Sequence, residues 1–210
     1  MFATSLLSRL GAPLLVALAL LFSTIEPSTA KGQMSPAQLV GNFHSALLSV
    51  MKEAEDLGFD GRYERLAPQV EDTFHMRLMT QISSGSYWRK APEAKKQALV
   101  AAFSKVSVGT YAARFDGFSG QSFETVETKP GPQGTQLVAT RLINPSGSDV
   151  DLTYVAKQVE GNWRVIDVIL DSGISELAVR RSEYRKILSN GGIDSLIEAL
   201  NDKAAGLRPS

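Results

Sequence analysis

Apolar side chains recur every three or four residues in the first half of the chain and every second residue in much of the second half. The first spacing belongs to a helix face and the second to a strand. Ser35-Pro36-Ala37-Gln38 is a compact helix start: Ser35 can cap, Pro36 suits the first helical position and Gln38 closes a capping box. Leu39, Phe43, Leu47, Val50, Ala54 and Leu57 form the stripe of that helix, and Gly58 is its natural stop. Asp60 opens a second stretch carrying Leu66, Val70, Phe74, Leu78, Met79 and Ile82. Pro68 lies inside it and predicts two short helices in place of a long one. Ser83-Ser84-Gly85 reads as a loop, and Pro92-Glu93 starts a long helix. Ala94, Ala98, Leu99, Ala102, Phe103, Val106, Gly109, Thr110, Ala113 and Phe115 can face inward along it. The small residues in that set allow two readings, close helix–sheet packing or room beside the large side chains for a ligand.

From Phe118 the period is two. Gln121 to Thr128, Thr135 to Ile143, Val150 to Val159 and Trp163 to Ser172 read as strands, joined by Pro/Gly/Ser-rich loops and by the turn Glu160-Gly161-Asn162. Val150, Leu152, Tyr154 and Ala156 share one face of the third strand. On the fourth, Trp163, Val165 and Ile169 alternate with Ile166, Val168 and Leu170, so both faces are apolar and the strand reads as central. One acid, Asp167, interrupts it. After Gly173 the period turns helical through Ile174, Leu177, Ala178, Tyr184, Ile187 and Leu188, with Arg180, Arg181, Arg185 and Lys186 outside the stripe. Gly191-Gly192 separates a last helix, about residues 193–205, from a tail over 207–210 that reads as frayed. Helices before and after a four-stranded antiparallel meander give an α+β class.

The chain has 210 residues and 43% hydrophobic content, enough for one core over residues 31–206. Its 22 basic and 22 acidic residues cancel, so no long-range field draws in a nucleic acid or an anionic bilayer. Without cysteine there are no disulfides, zinc–thiolate sites or cysteine nucleophiles. Arg9, the apolar run Leu10 to Phe22 and the small residues Ser28-Thr29-Ala30 predict an export signal over residues 1–30, cleaved after Ala30. The run is shorter than the roughly 20 residues a membrane span needs.

Catalytic chemistry is sparse. His44 and His75 stand in no serine–acid arrangement, and the Glu71, Asp72 and His75 cluster reads as a solvated face. No zincin, Walker or nucleophile-elbow motif is present. Asp167 keeps an enzyme alternative open, as a base in an apolar cavity acting on a steroid-like or triterpenoid substrate. The competing reading is a structural carboxylate bonded to backbone amides or to Arg180 or Arg181.

The segment GNWRVIDVILDSGISELAVRRSEYRKIL resembles the signature of the MlaC-like, or toluene-tolerance auxiliary, periplasmic lipid-binding proteins. The matching residues are Trp163, Asp167, Val168, Gly173, Ser175, Arg181, Ser182 and Tyr184. Upstream, Trp88, the helix from Pro92, Phe103 and Tyr111-Ala112 follow in order, and Gly191 to Ile197 resembles the family's close. GFDGRYERLAP, from Gly58 to Pro68, is similar to the hopanoid-associated HpnM branch. Where the family often has Asn-Tyr before Arg-Ser, this chain has Val179-Arg180, an extra charge near the presumed pocket mouth.

The resemblance implies a periplasmic carrier of a phospholipid or hopanoid, with an NTF2-like cone of curved sheet and helices around an apolar cavity. It implies exchange with inner- and outer-membrane transport complex proteins, and no cofactor. The candidate lining is Phe103, Val106, Tyr111, Val138, Leu142, Leu152, Tyr154, Val165, Val168 and Leu170. Trp163, Asp167, Arg180, Arg181 and Arg185 are the candidates for the pocket edge or for docking. The reading requires a hollow between the late sheet and the long middle helix.

Overall fold

The computed structural model describes residues 34–171 and 173–209. The expected signal segment and its cleavage point lie outside the described residues. Helix α1 (Pro36–Lys52) opens with the capping box: Gln38 N–H donates to Ser35 Oγ (3.2 Å), and Ser35 N–H donates to Gln38 Oε1 (2.9 Å). Its stripe of Leu39, Val40, Phe43, Leu47 and Val50 is buried. Helix α2 (Ala54–Thr73) follows after a break at Glu53 and is redirected at Gly58, whose φ of 57° favours glycine. Arg62, buried, pins this kink. Its Nη1 donates to Ala54 O (2.8 Å) and its Nε to Ala112 O (2.9 Å) on the long helix α5 (Glu93–Arg114).

Pro68 does not break α2. The residue is exposed, as is Glu64, whose carbonyl loses its helical donor and can meet water. The break comes at Phe74-His75, where tertiary pairing enforces it: His75 N–H donates to Val165 O (2.9 Å), and Phe74 bridges to Val165 in parallel. Helices α3 (Met76–Ser84) and α4 (Ser86–Lys90) then bracket Gly85, at φ 60°.

Strands β1 (Ser122–Pro130), β2 (Gln136–Ile143), β3 (Val150–Val159) and β4 (Asn162–Leu170) form the expected antiparallel meander. A fifth strand, β5 (Ile174–Ser175), pairs with β4 where a helix start was expected. Two residues are too short for period two to register. The facing of β4 also departs from simple alternation. Val155 pairs with Asp167 and Ala156 with Val165, leaving Ile166 as the extra residue of a bulge. Val165 therefore shares the inner face with Val168 and Leu170, opposite Ala156, Tyr154 and Leu152.

Helix α6 (Glu176–Ala205) contains the expected division, at Gly192 with φ 68° and ψ −156°. Beyond the helix, Leu207 and Arg208 of the expected tail make contacts with the body of the domain. Leu207 lies over Gly109 so closely that an added Cβ there would come within 3.0 Å, and Arg208 pairs with Asp60 at 2.9 Å. The small residues of α5 divide accordingly: Gly109 and Ala102 serve close packing, and Ala94 and Ala98 are exposed.

Gly192 has open space around it, so any penalty for a side chain there is backbone strain alone. Gly192→Ala should cost about 1–3 kcal/mol. Urea unfolding should show a lower midpoint with an unchanged slope.

Candidate functional site

Helix α1 packs on β1, β2 and β4, and Val138, Ala156 and Val165 beneath the helical layer are fully buried. The rest of the inner face is not filled in this way. Leu142, Val150, Leu152, Tyr154, Val168 and Leu170 from the sheet line a hollow of about 470 Å³. Phe74, Met76 and Met79 line it from the α2–α3 region, Ser107, Thr110, Tyr111, Arg114 and Phe115 from α5 and its end, and Glu176, Leu177 and Arg180 from α6.

Aromatic rings separate the packed part of the core from the hollow. Phe43 meets Phe74 edge-on (centroids 5.2 Å) and Tyr111 likewise (5.1 Å), and Phe74 and Tyr111 lie 5.7 Å apart. Tyr111 stacks on Phe115 at 6.0 Å, and Phe115 lies 6.4 Å from Phe123. Phe123 in turn stacks flat on His44 at 3.9 Å. These rings are large, carry few rotamers and prefer such edge and offset contacts.

Polar groups on or behind the wall are few and mostly uncharged. His44 Nε2 lies 3.0 Å from Tyr154 OH. Burial lowers the His44 pKa from 6.5 to about 4, so the imidazole is neutral at pH 7. Burial raises the phenol pKa of Tyr154 well above its usual value, and that of Tyr111 too, with Arg180 and Arg114 pulling the latter back. Ser107 Oγ is buried without a hydrogen-bond partner among the described residues. At the rim, the Arg180 guanidinium lies 5.1 Å from the Phe103 ring centroid.

Asp167 is not on the wall. Its Oδ1 accepts from Val168 N–H (2.8 Å) and Leu177 N–H (3.0 Å), and its Oδ2 accepts from Ser175 Oγ–H. Ser175 in turn caps α6 by accepting from Ala178 N–H (2.9 Å). The carboxylate ties β4 to the start of α6 through amides, and neither Arg180 nor Arg181 is its partner. It has no place in the hollow from which to act as a base. His75 caps α3, its Nδ1 accepting from Leu78 N–H (3.1 Å), and no metal-holding cluster occurs among the described residues.

Of the residues singled out from sequence, Tyr111, Leu142, Leu152, Tyr154, Val168, Leu170 and Arg180 line the hollow. Phe103, Val106, Val138 and Val165 do not; all four are closed into the core. Phe103 and Val106 fall on another face of α5, and Val138 and Val165 lie toward the packed end of the sheet. Trp163 lines a separate groove beside Met34 and Leu39. Arg181 and Arg185 are exposed and do not line the hollow. Sequence reasoning missed Ser107 and Arg114. With Thr110 and Tyr111 they stand at i, i+3, i+4 and i+7, a polar line along one helix face that could have been read.

The family model for the MlaC protein matches residues 42–202, well over half of the chain. This chain belongs to the MlaC family. Its fold is similar to that of a phospholipid-binding protein from Ralstonia solanacearum solved in complex with a phospholipid. The TM-score is 0.73 at 19% identity, over 82% of this chain and 98% of that one. In this MlaC-family member the signature residues have visible physical work. Gly173, at φ 73°, turns the chain with its N–H on Leu170 O (2.7 Å), which brings Ser175 onto Asp167. Tyr184 is buried in the core that α6 closes.

Two outcomes follow from these contacts. Asp167→Asn keeps the acceptor for Leu177 but sets an amide donor against Ser175, so stability should fall by about 1–2 kcal/mol in urea unfolding. His44 titrates near 6.5 when unfolded and near 4 when folded. In that window the unfolded chain binds the extra proton, so stability should drop as pH falls from 6.5 to 4, by up to about 3 kcal/mol. Unfolding midpoints across that range should flatten in His44→Gln.

Proposed function

We propose that this MlaC-family chain is an exported, periplasmic carrier that holds a lipid's hydrocarbon in the hollow and passes it between inner- and outer-membrane transport proteins. The observation that supports it most is the hollow itself, walled by aliphatic and aromatic side chains between sheet and helices. The fold shared with a phospholipid-bound protein adds to it. A carrier is needed because water is a prohibitive intermediate. At ~0.8 kcal/mol per methylene, a chain of about sixteen carbons costs on the order of 12 kcal/mol to expose.

The capacity suits that task. An apolar cavity of about 150 Å³ holds one benzene. A hollow of 470 Å³ is about three times that, room for roughly eighteen carbons, or one long acyl chain. A second chain requires the wall to yield, and Met76 and Met79 are its most adaptable members. Neutral net charge favours docking on protein partners over adhesion to anionic lipid. The similarity of Gly58 to Pro68 to the hopanoid-associated branch makes a pentacyclic triterpenoid the other ligand class.

The test is mass spectrometry of the protein purified without detergent. A bound lipid mass is expected, and it separates phospholipid from triterpenoid. Leu152→Trp fills the wall at a cost of about 1–3 kcal/mol and should reduce bound lipid at least tenfold with the circular dichroism spectrum retained. Wild-type protein that is lipid-free, and that extracts nothing from vesicles, would remove the basis of the carrier reading.

A further inference from the structure

The inner face of the sheet carries the packed core and the hollow, and the reverse face is bare. By register, Leu137, Ala139, Thr153, Val155 and Ile169 stand on that reverse face, alternating with the inner-face Val138, Thr140, Tyr154 and Val168. The bulge residue Ile166 adjoins them on β4. Their side chains are partly exposed, and the apolar ones lie outside the packed core of the described residues. An antiparallel sheet with one solvated face ordinarily turns polar side chains to the water. Here β4 has the pattern of a strand covered on both faces, and only one is covered. A contiguous apolar patch of this kind, rimmed by charge, marks a site of association.

The rim charges are sorted along the strands. At one end Glu124 lies opposite Arg141 and Arg141 opposite Asp151, with Arg141 Nε 2.7 Å from Asp151 Oδ1, so that row carries one acid in excess. At the other end Lys157 lies opposite Arg164. Like charges directly opposite one another destabilise a strand pair. Neither of these two cations has an ion-pair partner among the described residues. Between the two ends, Glu127 and Lys129 of β1 stand opposite Ala139 and Leu137. Asp167, on the same face, is already held by Ser175 and the Leu177 amide. The face is therefore acidic at one end, basic at the other and apolar in the middle.

Such a face is its own complement. Asp151 and Lys157 are equally far from Tyr154 along β3, and the register sets Tyr154, Val138 and Thr128 side by side. A two-fold axis in the interface plane, crossing the strands at that row, brings Asp151 of each copy to Lys157 of the other. It also brings Glu127 to Lys129 and Leu137 to Ala139. We propose that the reverse face of the sheet pairs two copies of this chain back to back, as an isologous dimer. The zero net charge sets up no long-range repulsion between the copies. Four strands about 4.8 Å apart and seven residues at about 3.3 Å give a footprint of roughly 19 by 23 Å. That is at the low end of specific interfaces, so the dimer is reversible. Both hollows lie on the far sides of the pair, and pairing does not cover them.

The test is sedimentation velocity of the purified protein over roughly 10 to 500 μM at low salt. Wild type should pass from monomer to dimer within that range. Val155→Lys/Ile169→Lys sets four cations against each other across the pair and should weaken association at least about tenfold. Lys157→Glu, at the rim, should weaken it by roughly fivefold, and so should Asp151→Lys. Lys157→Glu combined with Asp151→Lys exchanges the two charges and should restore association, as only this two-fold arrangement requires. Circular dichroism and thermal melts confirm that each variant is folded. A wild type that stays monomeric throughout overturns the proposal and leaves the face to a different protein. A dimer indifferent to these substitutions, or one that the charge exchange fails to restore, overturns it as well.

Discussion

Protein interiors close-pack, and a hollow must be held open against that tendency. By the mutational scale of about 24 cal/mol per Å³, a dry cavity of this size costs on the order of 10 kcal/mol. That is comparable to the whole stability of a domain. The mutual contact of Phe43, Phe74 and Tyr111 is what the arrangement depends on. Their rings come from three helical regions, with Phe43 edge to face against both others and Phe74 and Tyr111 tilted on each other, so none can fall into the space without breaking two contacts. Behind them the core is solid; in front of them the sheet and helices part.

The same logic explains why Phe74 stands where the helix breaks. Its backbone bridges to Val165, and the next amide, that of His75, donates to the Val165 carbonyl. This fixes one ring of the partition to the sheet. The opposite side of the hollow is fixed by Asp167, which gathers the Ser175 hydroxyl and the Leu177 amide in the first turn of α6. An acid in an apolar strand is thereby structural, and α6 delivers Glu176 and Arg180 to the rim from a defined starting point.

Much of the architecture was legible in the chain. The capping box at Ser35, the long helix after Pro92, the meander and the division at Gly192 are local events, written in cap residues, period and turn chemistry. Much of the strand lining was legible too, because β3 keeps a clean alternation. Pro68 misled because an exposed proline can be absorbed by a helix whose freed carbonyl reaches water, and sequence does not report exposure.

Composition and pattern by themselves determined the α+β class and the order of the meander strands, and left close packing and a ligand space both open. Tertiary structure alone decided which of that surface faces empty space. The bulge at Ile166 moved Val165 to the inner face, a displacement set by pairing with β3 and invisible to alternation. The face of α5 that meets the hollow is that of Ser107, Thr110, Tyr111 and Arg114, not that of Phe103 and Val106. The rotation of a helix apolar on several sides is fixed only by its neighbours, here Leu207 over Gly109 and Arg180 over Phe103.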